Sequence, residues 1–61
     1  MDPRLSRFQH INFTMTSLYD LLDGLYEALA DENYAEAIEF MSDIQLILRE
    51  LKSSAKDELD R

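Results

Sequence analysis

Two heptad stripes of equal length, separated by a short polar break, constrain this chain more than any other feature. Phe8, Ile11, Met15, Leu18, Leu22, Leu25 and Leu29 step by 3, 4, 3, 4, 3, 4. That alternation keeps one line of an α-helix apolar and predicts a helix over about residues 3–31. Asp2-Pro3 is a fitting start, because Asp accepts from free amides at the N-cap and Pro suits the first helical position. A break within residues 12–17 is the competing expectation. Thr14 and Thr16 are weak helix formers, and Ser17 with Asp20 reads as a fresh capping box. Continuity is favoured, because a break should disturb the seam and none does.

The turn is predicted at about residues 31–33, where Ala30-Asp31-Glu32-Asn33 separates the two apolar patterns. Asn33 followed by Glu36 fits an N-cap with its acid at the third helical position. A second helix over about 34–60 then carries Tyr34, Ala37, Met41, Ile44, Leu48, Leu51 and Ala55, again spaced 3, 4, 3, 4, 3, 4. The expected fold class is therefore all-α, one antiparallel two-helix hairpin spanning residues 1–61.

Apolar flanks make each stripe too wide for a lone hairpin. Phe40, Ile44, Ile47 and Leu51 lie on one side of the second seam, with Ile38 and Met41 on the other. In the first helix Leu21 and Ala28 flank one side, and Tyr19 and Tyr26 the other. Flanks of this kind call for more than one neighbouring helix. At 61 residues the chain also buries only about 60% of its unfolded surface, which makes a monomer marginal. With no cysteine and one histidine it has neither disulfides nor a zinc ligand set to compensate. The expected solution is a homodimer, two hairpins pairing into an antiparallel four-helix bundle. The seam residues Phe8, Ile11, Met15, Leu18, Leu22, Leu25, Leu29, Tyr34, Ala37, Met41, Ile44, Leu48, Leu51 and Ala55 are its expected core.

The layout of two equal helices in about sixty residues resembles the Rop family, small plasmid RNA-binding regulators, in architecture. That resemblance implies a dimeric bundle and RNA contact through the paired first helices, here Arg4 and Arg7 with Gln9, Asn12 or Phe13. The segment Asn33-Tyr34-Ala35-Glu36-Ala37-Ile38-Glu39-Phe40 is also similar to the second helix of a tetratricopeptide repeat, in which a Tyr precedes an Ala-Ile pair. Leu22-Asp23-Gly24-Leu25-Tyr26 is similar to its first helix, at a spacing one residue longer. A single such repeat does not stand alone, so the likeness reads as a shared hairpin solution.

The net charge of −7 is unevenly placed. Eight acids and no Lys or Arg lie between Phe8 and Leu48: Asp20, Asp23, Glu27, Asp31, Glu32, Glu36, Glu39 and Asp43. All six basic residues (Arg4, Arg7, Arg49, Lys52, Lys56 and Arg61) lie outside that interval, with five acids. A hairpin thus carries an acidic tip, centred on Asp23, Glu27, Asp31, Glu32, Glu36, Glu39 and Asp43, and a mixed base. Like-charge pairs four residues apart at 23/27, 27/31, 32/36 and 39/43 each oppose helix formation by roughly 0.2–0.5 kcal/mol. The tip serves as a solubilising face, as a guide to antiparallel dimerisation, or as a decoy for a basic nucleic-acid-binding protein.

The function classes narrow accordingly. No Ser/His/Asp arrangement, phosphate loop or Glu-x-x-His pair occurs, so no enzyme and no cofactor are expected. His10 reads as a boundary residue, and no loop has calcium-site spacing, which leaves only weak divalent-cation binding at the tip. No apolar run reaches the ~18 residues of a membrane span, and nothing resembles a signal peptide, so a cytoplasmic setting is expected. Net acidity disfavours nonspecific attraction to nucleic acid. Phe13 and Leu46 fall at outward-facing positions, and with Tyr19 they form the candidate partner surface. Gly24 either allows close helix approach or is incidental. The leading expectation is a non-enzymatic interaction module that binds and modulates a larger protein, in the style of a phage or plasmid regulator. The alternatives are Rop-like RNA binding through Arg4, Arg7 and Asn12, and an acidic DNA mimic.

Overall fold

A computed structural model describes residues 3–60. It contains two helices, α1 (Pro3–Ala30) and α2 (Tyr34–Leu59), folded into an antiparallel hairpin. The helix start expected at Asp2 lies outside the described residues. α1 runs through residues 12–17 without interruption. There Thr14 Oγ1 donates to the His10 carbonyl at 2.9 Å and Ser17 Oγ donates to the Phe13 carbonyl at 3.0 Å. Hydroxyls that compete with a helix backbone are thereby satisfied four residues back along their own helix.

The turn closes α1 by a Schellman arrangement. The Asn33 amide reaches back to the Ala28 carbonyl at 2.8 Å, and inside it the Glu32 amide donates to the Leu29 carbonyl at 3.1 Å. This nesting requires a left-handed residue at the first position beyond the cap, and Glu32 takes it with φ 57°. Asn33 then caps α2. Its Oδ1 accepts from the Glu36 amide at 3.3 Å, while its Nδ2 donates to Glu36 Oε2 at 2.8 Å. The acid therefore returns to the cap side chain rather than to the cap amide. Because Asp31 and Glu32 both lie in this turn, the 27/31 and 32/36 acid pairs straddle helix ends instead of stacking along a helix.

The two helices meet along a line displaced from the seams that define them. Labelling Phe8 and Tyr34 as heptad position a, both seams run along a and d. The least exposed positions of α1 are instead Thr14, Ser17, Leu18, Leu21, Gly24, Leu25 and Ala28, and those of α2 are Ala37, Phe40, Ile44, Ile47 and Leu51. These lie at d and g, with c added in α1. Small residues set the displacement. Ala28 and Ala37 are buried near the turn, and Gly24 lets the Phe40 ring approach so closely that a Cβ there would lie 2.5 Å from Phe40 Cζ.

Only Leu18, Ala28 and Ala37 are buried among the described residues, and no large side chain is fully enclosed. The hairpin is a slab of 44 × 24 × 11 Å between extreme Cα positions, a single layer of helices. Stable domains ordinarily bury a core between two layers. The accessible surface is 5490 Å², against roughly 4,100 Å² for a compact folded monomer of this mass. Fifteen large hydrophobic side chains are exposed among the described residues.

Candidate protein-interaction face

With d and g facing the partner helix, position a of each helix is turned about a quarter-revolution away from the contact. In an antiparallel pair, reversing the chain direction and reversing the inward direction cancel. The two a lines therefore emerge on the same broad side of the slab. Position e lies beside a and extends that side outward. The result is one face carrying Phe8, Met15, Leu22 and Leu29 with Tyr19 and Tyr26 from α1, and Tyr34, Met41 and Leu48 with Ile38 and Leu59 from α2. Every one of these is exposed, from Met15 at 37% to Leu59 at 84%.

The face is also clean. Between Phe8 and Leu51 the only polar residues at a, d or e are Asn12 and Gln45. The helical acids from Asp20 to Asp57 all fall at b, c or f, on the back edges and the opposite broad side. A cleft on that opposite side is lined by His10, Thr14, Ile47, Glu50, Leu51 and Ser54, which sets position c of both helices on one face. The slab therefore has one apolar and one acidic side. Contiguous apolar patches of this extent are uncommon on monomeric proteins and mark interaction sites.

The expected functional residues are distributed as follows. Of the seam residues, Leu18, Leu25, Ala37, Ile44 and Leu51 line the contact between the two helices. Ile11, at the wider base, is 42% exposed. The whole a line, from Phe8 through Ala55, is exposed in the single hairpin. Phe13, Tyr19 and Leu46 are all exposed, but they do not form one surface. Phe13 and Leu46 occupy position f, on the acidic side. Tyr19, six residues beyond Phe13, is turned about 120° around α1 and belongs to the apolar face. Asp23, Glu27, Asp31, Glu32, Glu36, Glu39 and Asp43 are exposed around the tip, and Arg4 and Arg7 are exposed at the base. Asn12 sits at the base end of the apolar face.

Tyr26, Ile38 and Leu59 belong to this face although the core expected from the a/d seams omits them. Their signal is a further 3–4 stripe in each helix, over positions 8, 12, 15, 19, 22, 26 and 29 of α1 and 34, 38, 41, 45, 48, 52, 55 and 59 of α2. Among the described residues no group of three His, Cys, Asp or Glu is placed to hold a metal ion. No described helix is long and apolar enough to cross a membrane. Comparison with family models, curated proteins and solved structures finds no match to this chain.

Proposed function

We propose that the protein is a non-enzymatic interaction module that works as a homodimeric, antiparallel four-helix bundle and binds and modulates a larger protein. The observation that supports this reading is the continuous, acid-free apolar face left uncovered by the hairpin. A second layer of helices on that face supplies the core that a one-layer slab lacks. A cytoplasmic setting suits a cysteine-free chain of this kind. The acidic outer sides and the exposed Phe13 and Leu46 remain free for the larger partner after pairing.

Sedimentation equilibrium tests the reading at its base. The expected mass at micromolar concentration is about twice the 7.2 kDa of the chain. Leu22→Arg, which places a charge in the middle of the exposed face without entering the contact between α1 and α2, returns the mass to that of a single hairpin. A well-folded 7.2 kDa monomer of the natural sequence at the same concentration overturns the proposal.

A further inference from the structure

Resting on that dimeric reading, we infer that the second copy covers the apolar face tip-to-base, about a two-fold axis crossing α1 near Thr16 and α2 near Leu46–Ile47. Each helix then lies against its own counterpart, α1 on α1 and α2 on α2. The axis position follows from the helix midpoints, because pairing two arms about their centres covers the whole length of both faces.

A face 44 Å by 24 Å offers on the order of 800–1,000 Å² per copy, the size a stable homodimer uses, when the two slabs overlap fully. Two features of the chain then select this arrangement over one with both tips at the same end. The first is charge. The interval from Phe8 to Leu48 holds eight acids and no Lys or Arg, so tip-to-tip pairing gathers sixteen carboxylates at one end. Tip-to-base pairing instead holds the two acidic tips a slab length apart and brings the Arg7 and Lys52 end of each copy to the partner's tip, with Lys52 level with the partner's Met41 and Arg7 level with the partner's Tyr26. The second is size. Along α2 the a line tapers from Tyr34 at the tip to Ala55 at the base, and tip-to-base pairing sets the partner's Ile38 over Ala55. The base is also where clefts remain between the helices. One is lined by Arg7, Ile11, Leu51 and Ala55 among others, and the partner's bulky tip residues lie over it.

The natural chain has no cysteine, so single labels can be introduced cleanly. Nitroxide labels on Asp31→Cys, in the turn, and on Thr16→Cys, on the outer edge of α1, read the arrangement by pulsed electron–electron resonance. Both sites are exposed and neither enters the contact between the helices or the apolar face. Tip-to-base pairing gives an Asp31 separation close to the 44 Å length of the slab. It gives a Thr16 separation under about 20 Å, because stacked helices lie ~10 Å apart. Pairing with both tips at one end reverses the order, with the Asp31 labels close and the Thr16 labels farther apart. That outcome overturns this inference and the antiparallel arrangement of the bundle and leaves the dimer itself intact, as does a dimeric mass with neither distance pattern. A monomeric mass with no dipolar coupling at either site overturns the dimer itself and leaves the face to a different protein.

Discussion

The tip half and the base half of the hairpin are built from the same repeat and are held very differently. Near the turn, Leu18, Leu21, Leu25, Ala28, Ala37, Phe40 and Ile44 close the contact, Gly24 admits the Phe40 ring, and the Schellman turn and Asn33 cap fix the exit of one helix and the entry of the next. Toward the base the polar Thr14 and Ser17 share the contact with Ile47 and Leu51, clefts of about 120 and 410 Å³ open between the helices, and every described residue beyond Leu51 is exposed. The difference teaches where a hairpin of this length can support itself. Large side chains set against small ones secure the half next to the covalent link. The half farthest from it has few such pairs.

The largest expected effect breaks the tip. Phe40→Ala removes the ring that fills the space over Gly24 and lowers stability by about 2–4 kcal/mol in urea unfolding, below the ~3–5 kcal/mol of a fully buried Phe because this ring is half-buried. Ile47→Ala, one heptad toward the base, costs no more than about half as much. Equal losses at the two sites would show that the halves are equally well packed. Next in size is Gly24→Ala. A helix interior gains about 1 kcal/mol from this change. Here the added Cβ meets the Phe40 ring at 2.5 Å, so the net result is a loss of up to about 2 kcal/mol, recovered when Phe40→Leu makes room. The smallest effect sharpens the base. Ser54→Leu continues the g line and fills the cleft beside Thr14 and Ile47, raising the unfolding midpoint by the equivalent of about 1 kcal/mol. A fall in midpoint would show that the base is closed by other means.

Both helices and the turn were legible because their signals are local. An unbroken 3–4 spacing needs one helix, and Asn33 with Glu36 marks a start whose chemistry is complete within four residues. Which line faces the other helix was less legible. Each helix carries overlapping stripes that share position d, so spacing alone serves a/d and d/g equally well. What separates them is size: Gly24, Ala28 and Ala37 allow backbones to approach, while Phe8, Leu22, Leu29 and Tyr34 hold them apart. The same ambiguity explains the partner surface. Phe13, Tyr19 and Leu46 look alike as exposed apolar residues, and only the choice of inward line sends Tyr19 to one side of the slab and the other two to the opposite side.

A slab one helix thick has almost no interior, and this governs how it should melt. Heat-capacity change and denaturant sensitivity both scale with the surface uncovered on unfolding, and a single hairpin has little left to uncover. Its helical signal should fade over a wide temperature range, as fraying spreads from the open end. A steep transition in circular dichroism, one that moves to higher temperature as the solution is concentrated, would report a second layer in place.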